Sequence, residues 1–365
     1  MPPDVATLLA GPRGRRFCLQ LALASEGQYA DEGSMLSQLL FNATHRLESA
    51  RGQSGTLFGL GAGESLPDPS VADIASSLDK MPLKTVNETN SLETLAAAVD
   101  SARYWQEPDG TDELLAVPGI LSALERIATH IVASPSMSWW SGPLAPVQWI
   151  VKFTDSRNDV TTRLPAEKAL LLWRDEEIEN EKRAIRKRPA DPRANWSGEW
   201  WSKPAVALTT STRALPQLGP IMLSLIEDRF GWKKADAERL HGQYPTRICE
   251  ITGADVWADL CRTYPLEVTA TRRHDWYRAT GRNGRWVIPD WSRVSRDFDA
   301  VHLSTFAYLS SAGVLIQVDG EAASMIAGWN PDETYWLTDV SSDPATRTSW
   351  TLDNETGHWN AIEAR

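Results

Sequence analysis

The sequence predicts an α+β protein, with a mainly helical region over residues 1–135 and a tryptophan-rich mixed region over residues 136–365. Two observations predict it. All 17 tryptophans lie from Trp105 onward, so the two regions are built from different sets of side chains. The apolar spacing also changes near residue 135, from the three-to-four step of a helix face to short β-branched runs. A chain of 365 residues suits two domains at roughly 150 residues each, enough to bury a core without cross-links.

In the first region Val5, Leu8 and Leu9 open an apolar helix face, GPRGRR breaks it, and Phe17, Leu19, Leu21 and Leu23 continue it. Leu36, Leu39, Leu40 and Phe41 have helical spacing. GTLFGLGAGESLPDPS (55–70) reads as a loop; its glycines match neither GxGxxG nor a phosphate loop, since no lysine and hydroxyl follow in register. Asn90 or Ser91 then caps a helix through LETLAAAVDSARYW. DELLAVPGILSALERIATHIVA predicts a helix entered or kinked at Pro118, with Ile120, Leu124, Ile127 and Ile131 on one stripe.

In the second region VQWIVKF (147–153) reads as a strand. PAEKALLLWRDEEIENEKRAIRKR reads as a helix with acids before bases, Glu179 facing Arg183, and its dense carboxylates exposed. PAVALTT predicts a strand from Pro204, with Val206 and Leu208 facing the core and Trp200 and Trp201 to opposite sides before it. LGPIMLSLIEDRFGW reads as a helix, TRICEI as a strand and ADVWADLCRTY as a helix. GRWVIP follows as a strand, DWSRVSRDF as a short helix, and DAVHLS and GVLIQV as strands. These helices are too short for regular parallel crossovers, which favours α+β over α/β.

Composition narrows the function. A net charge of −11 argues against general nucleic-acid binding, which needs surplus Lys and Arg against phosphate. No apolar run reaches the length of a membrane span, and Gln20 interrupts the one stretch that imitates a signal peptide. Cys18, Cys249 and Cys261 are too few and too scattered for a disulfide framework or a zinc site, and suit free thiols in a reducing cytoplasm. Six histidines without HxxxH or HxH spacing give no metal motif, so no metal is expected.

Two segments carry candidate chemistry. RRHDWYRATGRNGRWVIPDW (272–291) interleaves arginines with aromatics, a composition that can hold a nucleotide by pairing phosphate and stacking the base. The same residues also read as a β-hairpin turning at Asn283-Gly284, its arginines lying on tryptophan faces. WSGEWWSKPAVALTTSTR (196–213) puts three tryptophans before a run of hydroxyls, either a cleft wall or a structural corner.

The order of a strand ending TTSTR, a helix bearing Glu227, RICEI and DFDAVHLS resembles the ADP-ribosyltransferase superfamily, in particular NAD-consuming toxins of the RES type, over residues 196–320. The resemblance implies Glu227 as the acidic residue and Ser304 as the serine closing the late strand, both catalytic. Ser211 belongs to the matching hydroxyl run. Arg213 would meet phosphate, Tyr277 would position the nicotinamide riboside, and Trp200 would border the cofactor. NAD is then a substrate. The gap from TTSTR to Glu227 is longer than that pattern, and no early NAD-binding arginine is in register. The other reading is a non-enzymatic protein that recognises a protein partner or small ligand through a tryptophan-rich surface.

Overall fold

A computed structural model describes residues 4–29, 35–52, 67–155, 164–227, 231–241 and 247–362. Most of the glycine-rich stretch 55–70 lies outside the described residues. Helices dominate the first part: α1 (Val5–Ala10), α2 (Pro12–Tyr29), α3 (Met35–Ala50), α4 (Val71–Lys80), α5 (Glu88–Asp100), α6 (Gly110–Leu115) and α7 (Pro118–Val132). The second part holds β1 (Trp149–Phe153), α8 (Ala166–Lys187), β2 (Thr209–Ser211), β3 (Ala214–Leu215), β4 (Gly219–Pro220), β5 (Lys234–Leu240), β6 (Ile248–Ile251), α9 (Ala254–Thr263) and β7 (Pro265–Glu267). It continues through α10 (Thr269–Thr280), β8 (Arg285–Pro289), α11 (Trp291–Val294), β9 (Ala300–Leu303), α12 (Thr305–Ser311), β10 (Ile316–Gln317), β11 (Ala322–Ser324), β12 (Thr334–Trp336), β13 (Ser342–Leu352) and β14 (Trp359–Ile362). The fold is therefore α+β, helical first and sheet-rich later.

Three four-stranded sheets run β1-β5-β13-β14, β10-β11-β8-β7 and β2-β12-β9-β6. One hydrophobic cluster extends from Leu8 to Leu337, so helices of the first region and sheets of the second share buried side chains. Gly11 shows how closely they meet: a Cβ there would lie 2.4 Å from the Leu309 carbonyl oxygen and 2.6 Å from that of Ser310, at the end of α12. No described helix is long and apolar enough to cross a membrane.

Pro118 opens α7, whose missing N–H is harmless at that position, and Ile120, Leu124, Ile127 and Ile131 are buried as the stripe requires. Elsewhere the boundaries move. Only Gly11 interrupts the first helices; PRGRR already belongs to α2, and Arg13 and Arg16 are buried. The cap of α5 is Asn87, which exchanges backbone hydrogen bonds with Asn90, so the helix begins earlier than Asn90.

Four expectations for the second region need correction. Pro204–Leu208 is a turn closed by the Leu208 N–H on the Ala205 carbonyl (3.0 Å), so the strand begins at Thr209 and Val206 is 75% exposed. The described residues of LGPIMLSLIEDRFGW form no α-helix. Gly219 at φ +72° sits against the Trp350 ring and Pro220 lacks an N–H, leaving one short 3-10 turn, Ile221–Leu223, before irregular chain that carries Glu227. The hairpin at Asn283-Gly284 does not form, because residues 269–280 are helical and Gly281 at φ +73° ends α10 before β8. GVLIQV keeps only β10.

The carboxylates of α8 are not all solvated either. Glu181 is buried and accepts the free N–H groups of Ala270 (2.7 Å) and Thr271 (2.9 Å) at the start of α10. Glu177 (3.0 Å) and Glu199 (2.9 Å) hold the fully buried guanidinium of Arg272, which lies over the Trp201 ring. Glu179 pairs with Lys182 rather than with Arg183.

Seven tryptophans illustrate where the aromatic surplus goes: Trp140, Trp257, Trp276, Trp286, Trp291, Trp329 and Trp336 are almost wholly buried, with the rings of Trp257, Trp291 and Trp329 in mutual contact. Trp196 is the one tryptophan classed as exposed, at 39%. The tryptophans serve chiefly as core, so a surface built from them finds little material.

The α12 contact predicts that Gly11→Ala lowers stability by about 1–3 kcal/mol, because both nearest atoms are backbone and cannot rotate away. Gly27→Ala, in α2 with open space at its Cβ, should instead be neutral or stabilise by up to about 1 kcal/mol. Urea unfolding of the two variants checks both signs.

Candidate functional site

The sheet β2-β12-β9-β6 brings polar chemistry to one end. β12 runs antiparallel to β2 and β9, while β9 runs parallel to β6. The exits of β2, β9 and β6 therefore meet the entry of β12. In register, Thr334 pairs with both Ser211 and His302, and His302 pairs with Glu250. The turn before β12, Asn330–Glu333, lies across this end.

Asp332 occupies that turn at φ +57°, the one non-glycine position with positive φ among the described residues, a conformation that aspartate tolerates better than most. Its carboxylate accepts the Arg213 N–H (3.2 Å), the Arg213 Nε (2.6 Å) and His302 Nε2 (3.2 Å). His302 Nδ1 reaches Glu250 Oε2 at 2.6 Å. A ring with a carboxylate at each nitrogen is best satisfied as imidazolium. Burial pulls its pKa down, but the hydrogen bonds and charges of Asp332 and Glu250 outweigh that and hold it at about 9.

Next to this network, the Glu227 carboxyl is buried. Its Oε1 accepts the hydroxyls of Tyr104 (2.5 Å) and Tyr308 (2.8 Å), and its backbone N–H donates to Asn330 Oδ1 (2.9 Å). Oε2 has no hydrogen-bond partner among the described residues. Burial raises the pKa to about 7, against the opposing phenol hydrogen bonds and the charges of Arg13 and Lys203. Burial and the Glu227 charge push both phenols well above their ordinary value, so they stay protonated donors. The arrangement can exchange a proton near neutrality or place a negative charge beside a developing positive one.

Tyr104 follows α5 and Tyr308 lies on α12, so the two regions jointly build this centre. The Tyr104 ring also lines a cavity of about 320 Å³ together with Arg13, Arg15, Arg103 and Asp112. Trp200 packs beside it, 5.8 Å from the Tyr104 ring and 4.9 Å from Trp105. Trp201 meets Trp200 edge-on and turns to Arg272 instead.

Of the residues singled out in the sequence, Glu227 and Trp200 come together through Tyr104. Ser304 caps α12, accepting the Ala307 N–H (3.2 Å), one turn before Tyr308. Ser211 is wholly buried, donating to Gln148 Oε1 (2.7 Å) and accepting from Trp336 Nε1 (2.8 Å). Arg213 is occupied by Asp332 and the Pro143 carbonyl (3.2 Å), and lies over Trp139. The Tyr277 hydroxyl accepts from Arg193 at 3.1 Å, away from these contacts. Sequence reasoning missed Tyr104, Tyr308, Asn330, His302 and Asp332. Only Tyr308 left a signal, four residues beyond Ser304 on the same helix face. Among the described residues no three His, Cys, Asp or Glu side chains converge as a metal site.

The two shifted groups give pH signatures of the same sign in different windows. The folded pKa of His302 lies above its unfolded value, so its stabilisation is complete below about pH 6.5 and fades as pH rises through 9. The destabilisation caused by His302→Gln should therefore shrink between pH 6 and pH 10. Glu227 binds its proton more tightly when folded, so its ionisation weakens the fold between about pH 4.5 and 7. Glu227→Gln should gain on the parent protein across that interval. Denaturant unfolding of each variant against the parent checks both trends.

Comparison of the chain with protein-family models, curated proteins and solved structures finds no match.

Proposed function

We propose that the protein binds NAD or a related nucleotide and cleaves or transfers its ADP-ribose, with Glu227 at the reacting centre. One observation carries this reading: a buried carboxyl has one oxygen held by two phenols and the other without a hydrogen-bond partner among the described residues. In such a reaction the bond from nicotinamide nitrogen to the ribose carbon breaks, its electron pair leaves with nicotinamide, and positive charge develops on the sugar. Ionised Glu227 would face that charge through Oε2, while Tyr104 and Tyr308 fix its orientation. Water or an acceptor hydroxyl then adds to the carbon and gives up its proton, which a carboxylate of pKa about 7 can accept. Trp200 supports the reading as an aromatic neighbour of Tyr104, able to meet a nucleotide ring.

Arg213 and Ser304 would take supporting parts in this scheme. Arg213 positions the Asn330–Glu333 turn through Asp332, and so holds the residue that binds the Glu227 backbone. Ser304 sets the start of the helix that carries Tyr308.

Incubation with NAD should release free nicotinamide. Glu227→Gln should reduce that rate about 10²–10³-fold, the loss usual for a group acting on transition-state charge. Tyr308→Phe should reduce it less, since Tyr104 still holds the same oxygen. An intact protein that neither releases nicotinamide nor shifts its melting temperature with NAD removes the reading.

A further inference from the structure

The cavity beside Tyr104 has an unusual charge balance. It lies where the start of α2, the segment after α5 and the turn after α12 meet. Its carboxylates are already taken. Asp112 holds Arg13 (2.6 Å) and Arg16 (2.6 Å), and Glu113 pairs with Arg51. Two further arginines line the space without a carboxylate in hydrogen-bond contact among the described residues. Arg15 donates only to the carbonyls of Leu9 (2.9 Å) and Ala10 (3.0 Å), and Arg103 only to those of Asp100 (2.7 Å) and Ala102 (2.6 Å).

Two N–H groups at this site are also unsatisfied. Nε of Arg13, a residue only 3% exposed, and Nε of Arg15 are buried without a hydrogen-bond partner among the described residues. Burial lowers the Arg15 pKa, Asp112 opposes that, and the neighbouring Arg13 charge lowers it further. A desolvated guanidinium beside a second one is a costly arrangement unless an anion completes it.

We propose that this cavity binds the phosphate of a phosphorylated small molecule, with Arg15 and Arg103 as its charged ligands. Two cations without a hydrogen-bonded carboxylate among the described residues match a phosphomonoester, which carries a charge near −2 at neutral pH, better than they match a single carboxylate. Guanidinium forks suit its tetrahedral oxygens. The volume of about 320 Å³ lies at the small end of ligand pockets, roughly 300–1,000 Å³, and leaves room for a modest organic part against Pro12, Ala116 and Val314. The inference goes beyond the NAD reading and stands whether or not nicotinamide is released.

The test is calorimetric titration of the full chain with inorganic phosphate and, separately, acetate, at constant ionic strength set by chloride. Saturable phosphate binding is expected, with acetate at least tenfold weaker. Arg15→Gln and Arg103→Gln should each weaken phosphate at least tenfold, while Arg183→Gln on α8 should leave it unchanged. If Arg15→Gln does not fold by circular dichroism, the exposed Arg103 carries the comparison alone. Absence of saturable binding to the parent protein, acetate binding as tightly as phosphate, or unchanged affinity in the folded Arg103 variant overturns the proposal. Nicotinamide release without phosphate binding sinks the anion site alone; phosphate binding without nicotinamide release sinks only the NAD reading.

Discussion

The carboxylate of Asp332 is the point on which the polar end of the β2-β12-β9-β6 sheet depends. It sits in a left-handed backbone conformation, and its oxygens collect the Arg213 side chain, the Arg213 N–H and His302 Nε2. A buried carboxylate is tolerated only when its charge is answered and its lone pairs are filled. Arg213 and the His302 imidazolium do both, and Glu250 answers the remaining side of the ring. Three strand ends and the Asn330–Glu333 turn are thereby tied to one small group of charges.

That turn is also what places Glu227. Among the described residues Glu227 lies outside any helix or strand, and it is held by single contacts: Asn330 at its backbone and two phenols at its carboxyl. Asn330 is held in turn by Glu333 Oε2, to which its backbone N–H and side-chain amide donate at 3.1 Å each. A carboxyl oriented this way is held in place by the fold itself, because its neighbours are locked by packing. Its elevated pKa follows from the same burial that fixes it.

The N-terminal helices help to build this centre instead of merely covering the sheets. Tyr104 reaches Glu227 from the end of α5, and the Arg13 charge is felt at the same carboxyl. Gly11 lets the α1–α2 corner approach the backbone of α12, the helix that bears Tyr308. Packing between the regions and the geometry of the centre are therefore one constraint.

Local signals in the sequence were enough for much of the architecture. The tryptophan break and the change of apolar period marked helices before sheets. Pro118 marked the start of α7, and short β-branched runs marked β1, β6 and β9, because caps, proline and alternation act over a few residues. Glu227 and Trp200 were legible as residue types, one by a resemblance and one by its bulk. What the tertiary structure decided was their company. Tyr104 and Tyr308 stand 123 and 81 residues from Glu227, and no local pattern records that they share its oxygen. Likewise Arg13 and Arg16 in PRGRR look like a solvated break, and Glu177 and Glu181 like a solvated helix face. They are buried because Asp112, Arg272 and the open end of α10 meet them from distant segments. Charge becomes core only where its counter-charge arrives, and that arrival is a property of the fold.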